Sequence, residues 1–123
     1  MTAPPDHRFP RFVYGRGSEP DARFSLSNEQ TFLSWVRIGL ALLAGGVALE
    51  ALDLHLEPHL RLTAAVLLIA LGIATPVQAW FGWARVERAM RERRPLPAPA
   101  LSGPLAAGVA VAGVLVLLGL LLR

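Results

Sequence analysis

The residues of this chain best placed to do chemistry are a polar run, Ser27-Asn28-Glu29-Gln30-Thr31, and an arginine, Arg37, lodged in the apolar stretch that follows. Arginine keeps its charge at any physiological pH. A charge at the centre of a bilayer helix costs several kcal/mol, roughly 2.5–3.5 on insertion scales. Such a residue needs polar partners, an anion, or a route to the headgroups. On a helix, Gln30, Ser34, Arg37, Ala41, Ala44 and Ala48 share one face at about 100° per residue, polar first and small beyond. Ala41 and Gly45 also form a small-xxx-small pair, so Ala41, Ala44, Gly45 and Ala48 are expected to mediate close helix packing. Thr75 and Gln78 fall at matching depth in the second apolar stretch, and Pro76 between them frees a backbone carbonyl. Asn28, Glu29, Gln30, Ser34, Arg37, Thr75 and Gln78 are therefore expected to form a polar intramembrane cluster. In it Arg37 would lie about 10 Å along the axis from Gln30, held by Gln78, Thr75 and Ser34.

The elements that position these residues follow from the apolar blocks. Of 123 residues, 54% are hydrophobic, and the mean hydropathy is +0.47. A spanning helix needs about 20 mostly apolar residues, and three stretches qualify, at about 31–52, 62–83 and 105–122. A soluble three-helix bundle would need a polar face on each helix, which the second and third stretches lack. The expected fold is all-α, an integral membrane three-helix bundle spanning residues 27–123, preceded by a polar cytoplasmic tail over 1–26. Ser27 and Gln30 fit a capping box at the start of the first helix.

Charge sets the expected topology. All twelve basic residues are arginine. Four lie in the N-terminal tail, and Arg85, Arg88, Arg91, Arg93 and Arg94 crowd the second loop, whereas the first loop has only Arg61 against Glu50, Asp53 and Glu57. The positive-inside rule then places the N-terminus and the second loop in the cytoplasm and the C-terminus outside. The arginines between 85 and 94 read as a cytoplasmic helical extension, with Glu87 and Arg91 a favourable i,i+4 pair. A pI near 11 therefore reflects topology, and no nucleic-acid partner is expected.

Other signals are bland. His55 and His59 with Asp53 and Glu57 have metal-like spacing, but Pro58 disfavours helix at Glu57, so a solvated loop is expected and no metal. The arginine-aromatic segment 8–16 suits either an interfacial strap or, as expected here, a disordered tail. Gly108, Ala112 and Gly113 suit close packing of the third span. With no cysteine, no nucleophile–base constellation and no phosphate loop, neither an enzyme nor a cofactor is expected.

Asp21-Ala-Arg-Phe24 followed by Ser27-Asn-Glu-Gln-Thr-Phe-Leu-Ser-Trp35 resembles the signature of the YidH-type inner-membrane family, a domain of unknown function shared with the membrane part of the eukaryotic vacuolar transporter chaperone. The resemblance covers nearly the whole chain and implies a small three-span protein of the bacterial inner membrane that forms homo-oligomers. Through the eukaryotic relatives it also implies a basic passage for a polyanion, polyphosphate. One departure stands out: the family usually has Arg after the Asn-Glu pair, where this chain has Gln30. Arg37 matches the bacterial form of the signature and lies on the same face, one to two turns deeper. Two functions are thus expected to compete: a self-associating structural or accessory subunit, and an oligomeric module that binds or passes a polyanion.

Overall fold

A computed structural model describes residues 7–123. Its described residues fold into helices alone: α1 (Arg11–Tyr14), α2 (Ala22–Ala51), α3 (Pro58–Arg91) and α4 (Ser102–Leu121). The last three are long and apolar enough to cross a membrane, as the hydropathy pattern predicts. Their ends are set by capping chemistry. Asp21 accepts a hydrogen bond from the Arg23 amide and starts α2, so the helix begins well before the Ser27 box. Ser27 instead sits within the helix, its carbonyl accepting from Thr31 Oγ1. Glu57 accepts from the Leu60 amide and caps α3, with Pro58 at the first helical position, where its missing N–H costs nothing.

Helix α3 is the central element, packed on α2 along one side and on α4 along the other, while the backbones of α2 and α4 stay apart. The α2 face toward α3 runs through Asn28, Gly39, Leu42, Gly46 and Leu49, all buried. The steps of three and four between the last four residues keep one stripe facing the partner. Two glycines let the backbones approach. A Cβ at Gly39 would stand 3.0 Å from Pro76 Cδ and 3.2 Å from the Gly72 carbonyl, the one that Pro76 leaves without its helical N–H. A Cβ at Gly46 would stand 2.8 Å from the Ala65 carbonyl and 2.6 Å from Ile69 Cγ1. At Gly46 the Ala65 carbonyl is in the way and only glycine fits, whereas at Gly39 a side chain would require its neighbours to give by a few tenths of an ångström.

The expected packing stripe is therefore corrected within the chain. Ala41 and Ala44 are exposed, and Gly45 and Ala48 are only half-buried. Ala41, Ala44 and Ala48 fall on the side of α2 that looks away from α3, because Gly39 and Gly46 allow a closer approach than any alanine face does. Gly45 sits at the edge of the contact, where a Cβ would stand 3.8 Å from Leu68 Cδ1. On α4, Gly108 meets Leu71 and Gly119 meets Leu56 and Leu60, whereas nothing lies within 4 Å of a Cβ at Gly113. Of the three small residues expected to pack there, Gly108 and Ala112 do so and Gly113 faces outward. Leu49, Ala64 and Ala65 form the core, with Leu115 and Val116 of α4 against them.

Lengths complete the picture. At 1.5 Å per residue α4 spans about 30 Å, matching the hydrocarbon, while α2 and α3 run about 45 and 51 Å. At one end the turn between α2 and α3 meets the last turn of α4, through the Glu57 amide and the Gly119 carbonyl. The excess length of α2 and α3 consequently projects at the other, arginine-rich end.

Candidate functional site

The arginine-rich end is built around two buried charges. Glu87, 4% exposed, accepts from Ser25 Oγ at 2.6 Å and from Asn28 Nδ2 at 3.1 Å. Asn28 Nδ2 also donates to the Trp83 carbonyl. This lock ties the first turns of α2 to the last turns of α3, and it uses the whole donor capacity of Asn28. One turn on, Arg91 is 5% exposed and donates to the carbonyls of Arg16 and Tyr14 and to Glu19. Arg91 is thus no solvated loop residue, because the N-terminal segment folds over it.

That segment is a strap, which corrects the expectation of a disordered tail for the described residues 7–20. Ser18 donates its amide to the Arg91 carbonyl. Gly17, at φ +59°, lies so close to that carbonyl that a Cβ would collide with it. Arg8 pairs with Glu19 and stacks 4.3 Å above the Tyr14 ring. Phe9 and Phe12 rest on Trp80, and Tyr14 on Trp83. The arginines beside Glu19 hold its carboxyl below the ordinary value of 4.5, with the Arg8 hydrogen bond the largest cause. On α3 Arg85 is exposed and Arg88 pairs with Glu92, and just beyond the helix Arg93 is exposed and Arg94 also bonds Glu92.

The expected polar cluster does not form as one group. Asn28 is locked to Glu87. Thr75 is fully buried against α2 and donates to the carbonyl of Leu71 on its own helix. Gln78 faces a cleft. Glu29, Gln30, Ser34 and Arg37 are all exposed on the outside of α2. Arg37 makes no hydrogen bond or ion pair among the described residues, so Thr75, Gln78 and Ser34 do not hold it. The reason is rotational. Asn28 and Gly39 must face α3, and Gln30, Ser34 and Arg37 lie about half a turn away from them. The residues entering α4, Ala100 and Leu101, line one cleft with Trp35 and Gln78, and Arg37 lies two residues, about 3 Å, along α2 from Trp35.

The cleft holds about 190 Å³ and lies between α2, α3 and the segment 97–101. Phe32, Trp35 and Trp83 supply its apolar walls, and Gln78, Gly82 and Arg85 run along α3 as its floor. Sequence reasoning missed this site and the Glu87 lock; the repeat Ser25, Asn28, Phe32, Trp35, Gly39 was the signal for both. At the opposite end His59 Nδ1 lies 3.0 Å from Glu57, and among the described residues no three metal-ligating side chains gather.

Comparison with known proteins agrees with this architecture. A family model described as a domain of unknown function, DUF202, matches residues 23–89, more than half of the chain. An uncharacterized protein of Mycobacterium tuberculosis is 45% identical over 100 residues, covering 80% of this chain and 82% of the relative. The inner membrane protein YidH of Escherichia coli K12 is 42% identical over 82 residues, covering 66% of this chain and 71% of its own length. No solved structure matches the chain. Three apolar helices, the matched domain and these relatives together place the chain in the DUF202 family of YidH-type inner membrane proteins.

Proposed function

We propose that the protein is a self-associating structural or accessory subunit of the inner membrane, with the outer face of α2 as its contact surface. The observation that carries this reading is the composition of that face. Gln30, Ser34, Arg37, Ala41 and Ala44 are exposed, and the fold makes no use of them. Small residues allow close helix approach in lipid, and polar ones gain partners across the contact. The chain has no cysteine, so Ala44→Cys gives an unambiguous test. Oxidation in membranes should yield a disulfide-linked dimer, while Val114→Cys on the outside of α4 should not. Equal crosslinking of both would sink the reading.

A second reading has one observation in its favour: Arg37 has no carboxylate partner among the described residues, so in an oligomer it is available to a polyanion such as polyphosphate. Arg37→Leu separates the two. A variant that assembles but no longer binds polyphosphate supports the polyanion role, and one that falls apart supports packing. Wild-type behaviour in both assays assigns Arg37 to the headgroups alone. We also propose the orientation that the arginines favour, with the strap in the cytoplasm. A reporter fused after Arg94 should then be cytoplasmic and one after Arg123 extracytoplasmic.

A further inference from the structure

We propose that the cleft beside Trp35 and Trp83 binds an anionic phospholipid, with the phosphate on Arg85 and part of an acyl chain against the two indoles. The inference stands apart from self-association, because the cleft faces α3 and the 97–101 segment, whereas the small stripe of α2 looks the other way.

Hydrogen-bonding capacity is the first argument. Of the polar side chains lining the cleft, Asn28 is committed to Glu87 and Trp83, and Thr31 donates to the Ser27 carbonyl of its own helix. Two remain. Gln78 makes no hydrogen bond among the described residues. Arg85 is exposed, and its one bond is a long one, 3.4 Å, from Nε to the Phe81 carbonyl. That leaves both terminal nitrogens of its guanidinium, which bind phosphate oxygens in a fork.

Charge and shape narrow the ligand. Arg85 is the one ionised residue on the lining, so the site favours an anion. The rest of the wall is largely aromatic and aliphatic, which suits hydrocarbon and offers little to free phosphate. At about 190 Å³ the cleft is smaller than pockets that enclose a whole small molecule, about 300 Å³ or more. A ligand must leave much of itself outside. A lipid whose headgroup meets Arg85 and whose second chain stays in the leaflet does so naturally, since the cleft opens where α4 enters the membrane. Gln78 lies two turns, about 10 Å, deeper than Arg85 on the same face of α3, where its amide can donate to a glycerol-ester carbonyl.

Gly82 makes the proposal testable, because a Cβ there would meet nothing within 4 Å. Gly82→Leu should fill the cleft without disturbing the helices. The measurement is native mass spectrometry of delipidated protein in detergent, titrated with dioleoyl phosphatidylglycerol or dioleoyl phosphatidylcholine. Wild type should retain phosphatidylglycerol over phosphatidylcholine by about fivefold, the ratio that one basic side chain supports beside an anionic headgroup. Arg85→Gln should bring that ratio to about one while keeping a bound lipid, and Gly82→Leu should lose both lipids. Displacement of phosphatidylglycerol by millimolar inorganic phosphate would assign the site to a free anion and overturn the lipid. No discrimination by wild type, or unchanged lipid retention by Gly82→Leu, would overturn it too. So would a shift in oligomeric mass for Gly82→Leu with lipid retention intact, since the cleft would then seat a second copy.

Discussion

The outer face of α2 and the outer face of α4 are both exposed in the chain, yet they are chemically unlike. On α4 the outward residues include Val109, Val111, Val114, Leu117, Leu120 and Leu121. On α2 the stripe opposite α3 is Gln30, Ser34, Arg37, Ala41 and Ala44. Large aliphatic side chains maximise contact with lipid tails, whereas small and polar ones leave gaps and unmatched dipoles there. Each helix is held along one side by α3, α2 more extensively than α4. Under the proposed function the difference answers to what lies outside the chain, with lipid against the aliphatic side of α4 and a second copy against α2, although α4 exposes Ala106, Ala107, Ala110 and Gly113 as well.

The largest effect should come from breaking the support that presents both faces. Gly46→Leu forces a side chain into the Ala65 carbonyl and Ile69, and backbone cannot yield as a flexible side chain would. Overpacking of this kind costs about 3 kcal/mol, so helical signal in detergent should melt at markedly lower temperature and both faces should lose definition. A wild-type melt would mean that α2 and α3 can slide apart without loss.

A matched pair tests the comparison directly. Ala44→Leu should weaken self-association by about tenfold, read as detergent-stable size over a dilution series. Gly113→Leu, at an open position on α4, should leave that size unchanged and alter stability by less than about 0.5 kcal/mol. If both variants behave alike, the two faces are equivalent and the contrast in composition has no bearing on assembly.

The smallest effect is expected at the strap, which touches neither face. Because the folded Glu19 carboxyl lies below its ordinary 4.5, its contribution is fully present above that value. It is lost as pH falls through the lowered pKa, when protonation removes the ion pairs of Glu19 with Arg8 and Arg91. Acidification well below the ordinary carboxylate value should thus raise protease sensitivity within residues 7–20 while oligomeric size holds. Glu19→Gln should remove the pH dependence. Loss of assembly along with the strap would show that the α2 face depends on it.

Much of this was legible beforehand because it depends on local composition. Three blocks of apolar residues determine three spans, since backbone polar groups in lipid must be satisfied within a helix. The signature around Asn28 and Trp35 marks the family, and Pro58, Pro95, Pro97 and Pro99 mark the loops, whereas Pro76 lies within α3. What composition does not determine is rotation about each helix axis. Two stripes of α2 were eligible to face α3, one with Ala41 and Ala44, the other with Gly39 and Gly46. The second packs inward because its glycines admit the closer approach and its Asn28 reaches Glu87. That one choice turned Arg37 outward, buried Glu87 beneath Ser25 and Asn28, and opened the cleft at Gly82. The strap needed the same information, because Gly17 and Glu19 stand more than seventy residues from Arg91 and meet it only once α2 and α3 have paired. Periodicity along one helix records which faces exist; only the packing of two helices decides which of them is inside.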